Sequence, residues 1–154
     1  MNDGTQTATA RRTTSVRAES APTFGRVLCN AREQHFIVDG PVHNGCPGEA
    51  LTPPELLFSA VASCGVELMH VIAREEGIPL QRVTISIDGT IDRARQVRTD
   101  RSNYNEVVLD IVLFGVTGAQ AKSLVEGFQR RCPIYGTVAT ATPDVIVNHR
   151  AEPA

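Results

Sequence analysis

Four cysteines, Cys29, Cys46, Cys64 and Cys132, are the residues best able to do chemistry in this chain of 154 residues. None belongs to a CxxC pair, and a disulfide scaffold is a poor reading for a chain that is neither short nor secretory in pattern. Cys64 lies inside the most apolar run of the sequence. Leu57, Ala60, Val61, Leu68 and Val71 stand three, four or seven residues from it, so on a helix they share its face. An unpaired cysteine on such a face commonly acts as a small buried hydrophobe. Burial raises a thiol pKa unless a positive group is close, and Glu67, one turn on, would oppose a thiolate further. Cys132 has a different setting: it follows Arg130 and Arg131 and precedes Pro133. If Pro133 opens a helical turn, Cys132 becomes its N-cap. Free N–H groups then face the sulfur and favour its thiolate. The competing reading is a partly buried turn residue at a helix end.

Other chemistries find little support. His43 and Cys46, with His35 nearby, are spaced as metal ligands can be. A zinc site needs three or four ligands, and no second close-spaced pair exists. No metal and no cofactor is therefore expected. His70 and His149 read as a helix-surface residue and a strand-end residue. There is no P-loop, GxGxxG, HExxH or GxSxG sequence, which removes the common nucleotide, metalloprotease and serine hydrolase readings. The net charge is −2, aromatic residues are 5% and tryptophan is absent. That composition argues against a nucleic-acid partner. Leu56 to Ala73 is broken by Ser59, Ser63, Glu67 and His70, so no membrane span is expected. Arg11 and Arg12 are not followed by an apolar core, so no signal peptide is expected either. The expected location is the cytoplasm, where cysteines are more often free or catalytic than structurally paired.

The elements that must position these cysteines follow from patterning. Residues 1–22 are rich in Thr, Ala, Ser and Arg and hold almost no large apolar side chain, which predicts a flexible tail. Residues 23–150 then form a single domain. Gly25 to Leu28 and His35 to Val38 read as short strands, followed by a Gly- and Pro-rich loop over Asp39 to Pro54. A long helix starts at Thr52 as N-cap, with Pro53 at its first position and Glu55 three residues past the cap. It runs to about Glu76 and stops at Gly77. Apolar groups surround it almost completely, so it must be buried on most sides, by a wrapping sheet or a partner subunit. Val83 to Ile91 and Val107 to Leu113 alternate as half-buried strands. Thr117 and Gln120 make a capping box for an amphipathic helix ending near Arg131, and Val145 to Val147 is a last strand. The order β, β, α, β, β, α, β predicts an α+β fold.

Three segments taken together resemble the osmotically inducible protein C / organic hydroperoxide resistance (OsmC/Ohr) superfamily. They are His35-Phe-Ile-Val-Asp39 before the loop, Pro54-Glu-Leu-Leu-Phe-Ser-Ala-Val-Ala-Ser-Cys64 with Gly77-Ile-Pro-Leu80 after it, and Arg131-Cys132-Pro133-Ile134. The resemblance spans roughly residues 24–148. It implies an intertwined α+β homodimer, with the cysteine-bearing helices at its centre and antiparallel sheets wrapped around them. It also implies a thiol peroxidase that reduces organic hydroperoxides. Cys64 would attack the peroxide and become a sulfenic acid, and Cys132 would resolve it to a disulfide. A dithiol or lipoyl reductant would restore the thiols. The substrate entry would be apolar, near Phe58, Val61, Met69 and Ile134. An arginine would keep the thiolate charged, with Arg26 and Arg32 as candidates, and a glutamate would orient that arginine. In the peroxidase branch this glutamate stands ten residues before the reactive cysteine. Here Pro54 holds that place and Glu55 is the nearest acid, turned by about 100° on a helix. The departure resembles the general OsmC-like branch. It keeps a second reading open, a non-catalytic or redox-sensing dimer that binds a hydrophobic small molecule.

Overall fold

The computed structural model describes residues 11–154. The chain falls into two compact units, one ending at Glu55 and one running from Leu56 to Ala154.

The first unit carries a three-stranded antiparallel sheet in the order β1-β2-β3. The strands are β1 (Arg17–Ser20), β2 (Arg26–Ala31) and β3 (Gln34–Asp39). Arg32 and Glu33 turn the β2–β3 hairpin, and the register pairs Ala31 with Gln34 and Arg26 with Asp39. Within the stretch expected as a tail, residues 1–10 lie outside the described residues, while Arg17–Ser20 pair with β2. All four side chains of β1 are exposed. That strand is held by backbone pairing rather than burial, so it carries no apolar alternation.

The second unit is built on a sheet in the order β4-β5-β6. Its strands are β4 (Arg82–Thr90), β5 (Glu106–Phe114) and β6 (Asp144–Glu152). β5 runs antiparallel to β4 and parallel to β6. A parallel neighbour requires a crossover, and α2 (Gly118–Arg131) with α3 (Pro133–Ala141) supplies it. Alternate residues of β5, namely Val107, Leu109, Ile111 and Leu113, are buried. They join Leu124, Val125 and Phe128 of α2 in the core.

Helix α1 (Pro53–Glu76) begins and ends where the cap residues predict. Gly77 follows it with a φ of 66°, the left-handed conformation that ends helices and suits glycine. Val61, Gly65, Met69, Ile72 and Ala73 form its buried stripe. Gly65 allows a close approach: a Cβ there would lie 2.7 Å from Ile85 Cδ1 and 3.2 Å from Phe128 Cε2. By length and composition alone α1 is apolar enough to cross a membrane, a test that the core helix of a folded domain also passes. Its Val61, Met69 and Ile72 belong to the hydrophobic core.

Candidate functional site

Cys64 and Cys132 meet inside the second unit. Cys64 comes from the middle of α1, next to Gly65, where the helix comes close to Ile85 of β4 and Phe128 of α2. Cys132 comes from the junction between α2 and α3. There it closes one helix, its N–H donating to Phe128 O at 2.9 Å, and opens the next as N-cap. Pro133 sits in the first turn of α3, as the sequence suggests. The expected single turn is a full helix of nine residues. The backbone N–H of Tyr135 donates to Cys132 Sγ at 3.3 Å. Tyr135 is itself fixed, its ring 5.1 Å from that of Phe128 and its hydroxyl accepting from Gln129 Nε2 at 3.1 Å.

The sulfurs of Cys64 and Cys132 are 2.8 Å apart, and both residues are free thiols. Cys132 is buried at 3% exposure and Cys64 is half-buried. Burial pushes the Cys64 thiol up to about 12. The hydrogen bond with Cys132, the charge on that neighbouring sulfur and Glu67 act in the same direction. Two thiols this close can act by nucleophilic attack through one sulfur followed by exchange with the other.

The remaining candidates are held in the first unit. Arg26 on β2 donates through Nε to Asp39 Oδ1 and through a terminal nitrogen to Asp39 Oδ2, both at 2.9 Å. A further contact reaches Glu49 at 2.6 Å. Asp39 is fully buried and also accepts from the backbone N–H groups of Glu49 and Ala50, each at 3.0 Å. The Arg26 guanidinium holds the Asp39 carboxyl well below the usual carboxylate range, and the two backbone N–H groups add to that against the opposing cost of burial. Arg26 is raised by the same pair and by Glu49. Arg32 is exposed in the hairpin turn with a φ of 56°. The Glu55 carboxylate accepts from the Thr52 N–H at 2.6 Å and the Thr52 hydroxyl at 2.7 Å. That is the helix-capping use of Glu55, and these bonds lower its pKa. The acids that hold Arg26, Asp39 and Glu49, were not among the sequence candidates. The signal for Asp39 was the hairpin register, because a turn at residues 32–33 sets it opposite Arg26.

Among the apolar residues expected near the thiols, Val61 and Met69 are core residues and Ile134 is 37% exposed. Phe58 packs against Tyr104 in a tilted arrangement, with ring centroids 5.0 Å apart and 57° between the planes. Cys29 is buried on β2. Cys46 fills the space left by two glycines, since a Cβ on Gly25 or Gly40 would lie 2.3 or 2.4 Å from its sulfur.

Comparison with known proteins gives a consistent result. The family described as OsmC-like protein matches residues 46–148. No curated protein matches the sequence. The fold resembles an OsmC-like protein from Mycoplasma pneumoniae, with a TM-score of 0.77 at 16% identity, covering 91% of this chain and 97% of that one. It also resembles an organic hydroperoxide resistance protein OsmC, a predicted redox protein, from Legionella pneumophila. There the TM-score is 0.71 at 19% identity, covering 91% and 98%. An organic hydroperoxide resistance protein from Elizabethkingia anophelis aligns at a TM-score of 0.71 and 18% identity, covering 92% and 99%.

Proposed function

Because the chain belongs to the OsmC-like protein family, we propose that its thiol pair is a two-cysteine centre that reduces organic hydroperoxides. The observation that carries this reading is the 2.8 Å approach of the Cys64 and Cys132 sulfurs. The Cys64 thiolate attacks the terminal peroxide oxygen, the O–O bond breaks, and the alcohol leaves with a proton. Cys64 is then a sulfenic acid. The Cys132 sulfur displaces its hydroxyl, which leaves as water, and a disulfide forms. A dithiol, of the lipoyl type in the family, returns both thiols by exchange. No cofactor takes part.

Cys64 needs charge compensation for the first step, since its surroundings all favour the protonated form. Arg26 and Arg32 are the two candidate arginines for that role. The Arg26 guanidinium is fixed by Asp39 and Glu49, while Arg32 points from an exposed turn. Glu55 is assigned to capping α1 rather than to orienting the arginine. A homodimer fits the uncovered part of α1, where Leu57 is 39% exposed and Cys64, Val66, Leu68 and Val71 are only half-buried. A reducing cytoplasm fits a pair that starts as free thiols.

The raised Cys64 thiol favours the second reading, a dimer that binds a hydrophobic molecule and oxidises slowly. Two variants separate the readings. With cumene hydroperoxide and a dithiol reductant, Cys64→Ser should abolish turnover and keep the dimer. Cys132→Ser should stop at a sulfenic acid that dimedone traps on Cys64. Equal turnover in Cys64→Ser would sink the enzyme reading.

A further inference from the structure

A cleft of about 920 Å³ lies along α3, on the face of that helix formed by Pro133, Gly136, Thr137 and Thr140. Its size falls in the range of small-molecule sites. Arg98 and Arg101, from the segment between β4 and β5, line its other side. Both guanidiniums pair with one carboxylate, that of Asp100, at 2.8 and 2.9 Å. Two cations against one anion leave an excess positive charge at the rim, and their side chains are 51% and 63% exposed. Asn103 Nδ2 donates to Ala141 O at 3.0 Å and ties that segment to the end of α3.

The floor of the cleft is short of donors. The Thr137 and Thr140 hydroxyls donate back to Pro133 O at 2.8 Å and Gly136 O at 2.7 Å. They therefore present methyl groups and lone pairs to an occupant, beside the apolar walls of Val97 and Pro143. Gly136 is the telling residue. Glycine weakens a helix interior, yet a Cβ at this position would meet nothing within 4 Å. Among the described residues no neighbour accounts for the missing side chain, and Gly136 lines the cleft.

The geometry points to a binding site for an organic monoanion, a carboxylate on a compact apolar body. The carboxylate is held by Arg98 and Arg101, and the body lies on Gly136 between Val97 and Pro143. This inference does not rest on the peroxidase reading, since it needs no reaction at the thiols. The occupant lies along the helix whose first turn caps Cys132.

The test is a fluorescence titration of the full chain with 2-naphthoate, which the absence of tryptophan leaves free of overlapping emission. The neutral 2-naphthamide is the control. Saturable naphthoate binding should be at least tenfold tighter than naphthamide binding. Arg98→Gln with Arg101→Gln should remove that advantage and leave naphthamide binding unchanged. Gly136→Leu, with its fold checked by circular dichroism, should weaken both at least tenfold. Lack of saturable binding to millimolar concentration would overturn the proposal. So would naphthoate binding no tighter than naphthamide, or unchanged affinity in the arginine double variant.

Discussion

Cys132 accepts the Tyr135 N–H while its sulfur lies 2.8 Å from that of Cys64, so one thiol is capped by a helix and the other leans on it. Burial, with the Cys132 hydrogen bond second, raises Cys64 to about 12 against an ordinary thiol value of 9.0. The unfolded chain therefore loses this proton first as pH rises. By linkage, the contribution of Cys64 to stability is fully present below about pH 9 and is lost progressively toward pH 12. Urea unfolding of the reduced protein should show a steeper alkaline decline than Cys64→Ser over that window. Parallel declines would mean that the thiol titrates as it does in the unfolded chain.

The Arg26–Asp39 pair predicts the opposite limb. The Asp39 carboxyl is held below its ordinary 3.8 by Arg26 and two backbone N–H groups. Its contribution is present above pH 3.8 and is lost as pH falls below that value, because the unfolded chain protonates first. Asp39→Asn should lower the urea midpoint at neutral pH and flatten the acid limb. An unchanged midpoint would mean that Asp39 does not fix Arg26 and the loop at Glu49 and Ala50.

Gly65 tests the packing that sets Cys64 in place. Gly65→Ala would bring a Cβ to 2.7 Å from Ile85 and 3.2 Å from Phe128. Overpacking of this kind costs roughly 1–3 kcal/mol. Gly118→Ala, where a Cβ meets nothing within 4 Å, is the control and should be neutral or stabilising in the same thermal or urea unfolding assay.

The capping box on α2 predicts a smaller effect. Thr117 Oγ1 accepts from the Gln120 N–H and Gln120 Oε1 accepts from the Thr117 N–H. Thr117→Ala should cost about 1 kcal/mol in urea unfolding. A loss well above that would mean that Thr117 does more than cap the helix.

Local signals carried much of this fold. Thr52, Pro53 and Gly77 mark both ends of α1, and Thr117 with Gln120 marks the start of α2, because caps act within a few residues. β1 was invisible for a physical reason: Arg17, Ala18, Glu19 and Ser20 are all exposed and leave no apolar period. α3 was legible only at its first turn, since Pro133 signals a start while Gly136 and the β-branched Thr137, Val138 and Thr140 weaken the helical pattern. The thiol pair rested on a resemblance, because residues 64 and 132 are joined only by long-range packing of α1 against α2 and α3. Asp39 and Glu49 escaped notice because their partner, Arg26, is 13 and 23 residues away.

The most direct test of the central claim is a single-turnover oxidation. One equivalent of cumene hydroperoxide is added to the reduced chain, and free thiols and peptide masses are followed. A two-cysteine centre should lose two thiols rapidly and give one crosslinked peptide joining Cys64 to Cys132. Slow oxidation, or a crosslink through Cys29 or Cys46, would contradict it.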